Sequence, residues 1–323
     1  MNKVIITGCA GFIGSNLTML MLEQGYTVLG IDNFHSYYPK EIKEEKLKTL
    51  RGFSKFNFVK SDITNLDLKD FIGFKWDVCI HLAGTPGVLH SVKFPEEYEK
   101  NNVKATKSLL SFLNKIGVKK LIFSSSSSIY NENQHQFFNE SKTDIAPRSP
   151  YGKSKEKCEK IIKNWSLVND TDAIILRLFS VYGPGIRPDL ALLKFTRALN
   201  KNETITIYGD GKSYRDYTYI NDIVNGINTA TKHISKRHNV FEIINLGNGR
   251  PVQLNLMIKM IEEELHKTAK KKYIRSNQNE MSYTGADISV AKNILDYEPQ
   301  YKFEEGIKLF LEWYSENKSI YEH

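Results

Sequence analysis

Through the first half of the chain, short apolar runs alternate with longer stretches in which apolar residues recur every three or four positions. The runs at 3–7, 27–31, 56–60, 77–82, 119–125 and 173–178 are rich in β-branched residues and predict strands. The helical period predicts helices over 12–24, 41–50, 97–115 and 150–166. Strands that alternate with helices imply parallel pairing through crossovers, hence an α/β fold built on a doubly wound parallel sheet. After Arg177 the rhythm changes. A turn cluster, Tyr182-Gly183-Pro184-Gly185, is followed by helical patterns at 189–200, 220–233, 253–267 and 303–318. Short strands are expected at 204–208, 217–219 and 240–245. This predicts a large domain over 1–178 and a smaller mixed α/β lobe over 179–323, with 240–245 returning to the large domain.

Composition narrows the class. The 323 residues are 41% hydrophobic and 25% charged, enough for a sizeable core with an ordinary polar surface. Net charge is +8, but the basic residues are scattered and no basic-aromatic platform is present, so an anionic small molecule is expected rather than nucleic acid. Lys270-Lys271-Lys272 reads as a solvated face. Cys9, Cys79 and Cys158 lack metal-ligand spacing and read as thiols of a reducing compartment, with no metal expected. No leader-like or membrane-length apolar segment is visible, which makes a cytoplasmic protein away from membranes the default expectation.

The first strand supplies the first chemistry. Val4-Ile5-Ile6-Thr7 leads into Gly8-Cys9-Ala10-Gly11-Phe12-Ile13-Gly14, with glycines three apart, and then into a helical pattern. Gly8 turns the chain, Gly11 admits a pyrophosphate close to the backbone, and Gly14 lets helix and strand approach. Backbone N–H groups and the positive helix end then face the phosphates. The second strand ends at Asp32, 18 positions after Gly14, where a carboxylate accepts from ribose hydroxyls and repels a 2′-phosphate. A Rossmann-like site for NAD follows. In such sheets ligands bind beyond the carboxyl ends of the strands, and these ends carry Asp32, Asp62, Ala83-Gly84 and the serines at 124–128.

Tyr151 and Lys155 are four apart at the start of a predicted helix and share one face. An ammonium beside a phenol stabilises its phenolate. Ser126 precedes Tyr151 by 25 positions and is placed to bond the oxygen that Tyr151 deprotonates.

These motifs resemble the extended short-chain dehydrogenase/reductases, the NAD-dependent nucleotide-sugar epimerases and dehydratases, over essentially the whole chain. The resemblance rests on Thr7-Gly8-x-x-Gly11-Phe12-Ile13-Gly14, Asp62-Ile63, His81-Leu82-Ala83-Gly84, Asn102-x-x-x-Thr106, Ser126…Tyr151-x-x-x-Lys155, Val181-Tyr182-Gly183-Pro184 and Gly209-Asp210-Gly211-x-x-x-Arg215-Asp216-Tyr217-Thr218-Tyr219. It extends to the UDP-glucuronate 4-epimerases through Asp32-Asn33-Phe34, Ser125-Ser126-Ser127-Ser128-Ile129-Tyr130, and Arg187-Pro188-Asp189-Leu190-Ala191 leading to Lys194-Phe195-Thr196. The resemblance implies NAD contacts from Gly8, Gly11, Phe12, Ile13, Gly14, Asp32, Asn33, Asp62, Ile63, Leu82, Ala83, Gly84, Asn102, Ser124, Tyr151 and Lys155. It implies catalysis by Ser126, Tyr151 and Lys155. Substrate contacts are expected from Gly87, Ser127, Ser128, Ser180, Arg187, Lys194, Tyr208 and Arg215, with Arg215 on the diphosphate and Arg187 either on the diphosphate or gating the sugar.

Dehydratases of the family carry an Asp-Glu pair just after the catalytic hydroxyl, and UDP-glucuronate decarboxylases carry a glutamate there. This chain has Ser127 and Ser128, which lack carboxylate basicity. The resemblance therefore implies epimerisation at C4 of a UDP-sugar through a transient 4-keto sugar, with UDP-glucuronate to UDP-galacturonate as the expected conversion. A neutral UDP-hexose, a UDP-N-acetylhexosamine and decarboxylation of UDP-glucuronate stay open, as does a non-catalytic, redox-sensing NAD-binding module. Glucuronate epimerases usually have an arginine after Gly-Val beyond the fourth strand, where this chain has Leu89. In relatives the helices corresponding to 97–115 and 150–166 form a dimer, so a homodimer is expected.

Overall fold

The computed structural model describes residues 2–71, 75–131, 137–142, 144–276 and 281–322. The first half runs β1 (Lys3–Thr7), α1 (Phe12–Glu23), β2 (Thr27–Asp32), α2 (Lys40–Leu50), β3 (Phe56–Lys60), β4 (Val78–His81), α3 (Val88–Lys93), α4 (Pro95–Tyr98), α5 (Ala105–Ile116), β5 (Lys120–Ser126), α6 (Pro150–Asn169) and β6 (Asp172–Leu178). The second half adds β7 (Ser180–Tyr182), α7 (Ala191–Asn200), β8 (Thr204–Tyr208), β9 (Tyr214–Arg215), β10 (Tyr217–Tyr219), α8 (Ile220–Ser235), β11 (Phe241–Leu246), β12 (Val252–Gln253), α9 (Leu254–Leu265), β13 (Lys270–Ile274), α10 (Ser289–Leu295), α11 (Phe303–Glu316) and α12 (Lys318–Tyr321).

Seven strands form one parallel sheet in the order β11-β6-β5-β4-β1-β2-β3. Strand order reverses between β1 and β4, which opens a crevice beyond their carboxyl ends. Successive strand residues point to opposite faces, so each strand feeds two cores. Val4, Ile6, Val28, Ile80, Ile122 and Ile174 join one with Leu17 and Met21 of α1 and Ile223 and Ile227 of α8. Ile5, Leu29, Cys79, Leu121, Phe123 and Ile175 join the other with Leu109 and Leu113 of α5 and Ile162 of α6. A fully buried leucine or isoleucine in either layer is worth about 1.5–3 kcal/mol. The sheet is thus covered on both faces, which is why its strands read as continuous apolar runs.

β11 lies beside β6 in parallel register, Phe241 opposite Ala173 through Leu246 opposite Leu178, so a segment from the second half extends the main sheet. The remaining strands form three two-stranded pairs, β10 with β7, β12 with β9, and β13 with β8.

One expectation is corrected, and one strand is additional to those expected. The single helix expected over 97–115 is α4, then a π-helical turn at Glu99–Lys104, then α5. One wide turn is too short to stand out in an apolar period read over a whole helix. The basic run Lys270-Lys271-Lys272 belongs to β13, paired to β8, with its side chains exposed. β8 alternates buried and exposed residues, but β13 is exposed along nearly its whole length and lacks the alternation that marks a strand in sequence. Among the described residues, no helix is long and apolar enough to cross a membrane.

Candidate active site

One cleft of about 940 Å³ follows the carboxyl edge of the sheet and runs out beneath the second half of the chain. Its inner end is the glycine turn. Gly8 has φ +73°, and a Cβ there would come within 2.8 Å of the Ala83 nitrogen. A Cβ on Gly14 would overlap the Gly8 carbonyl oxygen. No side chain caps the N-terminus of α1, and Gly11, Phe12, Ile13 and Gly14 all line the cleft. Its free N–H groups and positive dipole end suit a phosphate.

Asp32 ends β2 and accepts from the Ala10 amide at 3.1 Å and the Phe34 amide at 2.8 Å. Asn33 donates to Asp62 at 2.9 Å. Burial pushes the Asp62 carboxyl up, but hydrogen bonds from Thr64 and Asn33 outweigh it and hold it below its ordinary range. Ile63, Leu82, Ala83 and Gly84 complete this wall. Glycines that admit no side chain, an uncapped helix end and a fixed carboxylate after β2 fit a dinucleotide.

The middle of the cleft joins β5 to α6. Ser149 caps α6 by accepting from the Gly152 amide at 3.1 Å, with Pro150 in the first turn. A Cβ on Gly152 would run into the Ser128 carbonyl oxygen, so this glycine lets α6 seat directly on the serine run. Tyr151 and Lys155 both line the cleft, as their spacing predicts. The Lys155 ammonium donates to the Ser124 carbonyl at 2.7 Å. Ser126 accepts from the Ser128 amide and donates to the Ser128 hydroxyl, both at 3.1 Å, and so caps a 3₁₀ turn over Ser127–Ile129. Ser127 is buried and also lines the cleft. Tyr98 meets the Tyr151 ring edge-on, with centroids 5.9 Å apart.

Two arginines stand at the outer end. Arg187 forms a two-pronged ion pair with Asp189 at 2.9 and 3.0 Å, and Tyr37 donates to the same carboxylate at 3.2 Å. Burial disfavours the charged Arg187 guanidinium, but the Asp189 charge more than offsets it and holds the group above its ordinary value. Arg215 ends β9 and donates to the Tyr214 carbonyl at 2.9 Å. Asp216 is fully buried and accepts from the amides of Asn248, Gly249 and Ala286 and from Thr218. Burial pushes its carboxyl up despite those bonds. Gly87, Ser180, Lys194 and Tyr208 line the same cleft, and Tyr208 is 44% exposed rather than part of a core.

The structure brings every expected site residue to this cleft except Asn102. That side chain is buried behind the wall, where it accepts from the Thr85 amide at 2.7 Å and donates to the Thr85 carbonyl and Ser154. Its polar groups brace the loop after β4 against α6. Sequence reasoning missed Asp189, Asp216, Glu159 and Arg177, which orient the lining groups without being named for contact. Asp189 and Asp216 stand inside the motifs that supply Arg187 and Arg215, but residue order does not show what they bind, and Glu159 and Arg177 lie outside every motif. Among the described residues no three potential metal ligands cluster.

The model of the NAD dependent epimerase/dehydratase family matches residues 4–247. A UDP-glucuronate 4-epimerase of Thermodesulfobacterium geofontis is 37% identical over 320 residues, spanning 98% of this chain and 97% of that protein. The crystal structure of UDP-glucuronic acid 4-epimerase from Bacillus cereus in complex with UDP-glucuronic acid and NAD has a TM-score of 0.92 at 34% identity, over 97% of this chain and 99% of that one. The UDP-glucose 4-epimerase of Thermotoga maritima with UDP-glucose has a TM-score of 0.87 at 29% identity, over 98% and 99% of the two chains. With the glycine cradle, the serine run and the Tyr151–Lys155 face on one cleft, the chain belongs to the NAD dependent epimerase/dehydratase family.

Proposed function

We propose that this chain is an NAD-dependent 4-epimerase converting UDP-glucuronate to UDP-galacturonate. The observation that carries the reading is the serine run: Ser126, Ser127 and Ser128 line the cleft beside Tyr151, with no carboxylate in the run to drive elimination. Bound NAD supplies reversible hydride acceptance at C4 of the sugar. Tyr151 takes the proton from the 4-hydroxyl and later returns it. Lys155 stabilises the phenolate. The Ser126 hydroxyl bonds O4. Between the two half-reactions the 4-keto sugar turns about its link to the diphosphate, held by Arg187 and Arg215.

The 4-keto uronate is a β-keto acid and loses carbon dioxide when its carboxylate bond stands perpendicular to the carbonyl plane. Ser127, Ser128 and Ser180 hold the carboxylate away from that orientation. A neutral UDP-hexose is the second reading, favoured by Leu89, which lines the cleft and cannot pair with an anion. The enzyme works as a cytoplasmic homodimer in polysaccharide biosynthesis. Its three free buried thiols suit a reducing compartment, and α6 leaves Leu167 and Val168 74% and 72% exposed, apolar area that a second copy would cover.

Purified enzyme given UDP-glucuronate and followed by proton NMR tests the reading. UDP-galacturonate without carbon dioxide supports it. A pentose nucleotide indicates decarboxylation, turnover of UDP-glucose alone indicates the neutral sugar, and tight NAD with no turnover of any UDP-sugar indicates a binding module. Tyr151→Phe is expected to lower kcat by on the order of a thousandfold while NAD stays bound; full activity would remove Tyr151 from the mechanism.

A further inference from the structure

Ser126 and Tyr151 come from different elements, a strand end and a helix start, yet must meet one sugar oxygen. A misplacement of about 1 Å between such groups costs roughly a hundredfold in rate. Lys155 makes one tie between the two elements, to the Ser124 carbonyl. The second tie lies one turn further along α6. The Glu159 carboxylate accepts from the Ser125 hydroxyl at 2.5 Å, from Arg177 Nε at 3.1 Å and from Arg177 Nη2 at 2.8 Å. Arg177 belongs to β6, and its Nη1 donates to the Tyr130 hydroxyl at 2.9 Å. Tyr130 in turn donates to Asn245 of β11 at 2.7 Å. Ser125, Glu159, Arg177, Tyr130 and Asn245 are each less than 10% exposed.

The chain of bonds therefore runs from α6 through the end of β5 to β6 and β11. The carboxylate is paired on both oxygens, with one oxygen shared by the Ser125 hydroxyl and Arg177 Nε and the other taken by Arg177 Nη2. Buried ion pairs contribute little to stability compared with apolar residues of the same volume. What this one offers is a charged acceptor that holds the Ser125 hydroxyl in one rotamer and one place.

We propose that the Glu159–Arg177 pair, acting through Ser125, is the positioning device that fixes Ser126 relative to Tyr151. None of the three touches the reacting atoms. Alternation along β5 turns the Ser125 side chain away from those of Ser124 and Ser126; all three residues border the cleft, but the Ser125 hydroxyl is committed to Glu159 of the helix. The two ties, a cation on the Ser124 carbonyl and an anion on the Ser125 hydroxyl, restrain both the spacing and the rotation of the strand end against α6.

The inference rests on the epimerase reading, and the test separates the two. Glu159→Gln would strand a buried guanidinium, so the informative changes are at Ser125, which leave the ion pair intact. Ser125→Ala is expected to lower kcat for the holoenzyme on UDP-glucuronate about tenfold, with KM within about twofold and NAD retention unchanged. Ser125→Thr keeps the hydroxyl and is expected to restore kcat. The wild-type assay tests the epimerase reading; the ratio of variant to wild type tests the positioning role. Wild-type kcat in Ser125→Ala overturns the proposal. So does a loss that Ser125→Thr fails to restore, because that assigns the effect to packing at the site rather than to the hydroxyl tie.

Discussion

A single added methyl group is enough to probe the cofactor end of the cleft. At Gly14 it would overlap the Gly8 carbonyl oxygen, a backbone atom that cannot rotate away. Gly14→Ala is expected to weaken NAD binding at least about tenfold and to lower Tm by on the order of 5 °C, measured by calorimetry and thermal melts. Wild-type affinity would mean the turn is not what holds the pyrophosphate. At the sugar end the informative atom is a hydroxyl oxygen. Ser128→Ala removes one of the groups assigned to the uronate carboxylate, and its expected signature is a pentose nucleotide appearing beside the epimer in the NMR assay. A product mixture identical to that of the wild type would take Ser128 out of that role. The glycines and serines of the cleft are legible from residue order alone, because few residue types can do what those positions require. The ties of Glu159 and Asp189 are not, because a charged residue in sequence carries no mark of its partner.

Among elements, the segment that holds Arg215 shows how short strands are kept in place. β9 and β10 span two and three residues, too few to be stable by pairing alone. Asp216, between them, gathers the loops at 247–249 and 284–286 by accepting three amides and a hydroxyl. Both Gly249 and Ala286 donate to one oxygen, each at 2.9 Å. In Asp216→Asn one side of the carboxyl becomes an NH₂ that faces donors. Leaving two buried donors unpaired is expected to cost at least about 3 kcal/mol in chemical unfolding, with KM for the UDP-sugar rising as Arg215 loses its fixed base. Unchanged stability would contradict this account of the segment. Elements with a strong apolar period, β1 to β6 and the longer helices, are legible in the chain to within a few residues. β7, β9 and β12 are not, since two or three residues carry no period.

At the scale of the whole molecule, His81 at the end of β4 is one group that links stability to pH. Its ring bonds Thr7 at 2.8 Å and Thr106 at 3.1 Å, between the strand that carries the glycine turn and the helix behind the cleft. Thr7 also accepts from the Ala83 amide, so the neutral ring is held between two hydroxyls that are themselves fixed by the fold. Burial, with the nearby Lys155 charge, pushes His81 down to about 3. The unfolded value is about 6.5, so between these values the unfolded chain binds a proton that the folded chain does not. Stability therefore falls as pH drops through that window, by about 1.4 kcal/mol between pH 7.5 and 5.5 from this group. Urea unfolding at the two pH values should show that difference shrinking in His81→Gln; an unchanged difference would assign the acid sensitivity elsewhere. Across the molecule, residue order suffices for the layered sheet, the dinucleotide turn and the Tyr151–Lys155 face, because local periodicity, glycine spacing and helical geometry are short-range properties. Folding in three dimensions settles the rest: Asn102 braces the wall instead of lining it, Asp189 and Tyr37 hold Arg187, and Glu159 ties Ser125 to Arg177. Those outcomes depend on which buried polar groups meet across distant elements, and burial obliges each to find a partner that residue order does not reveal.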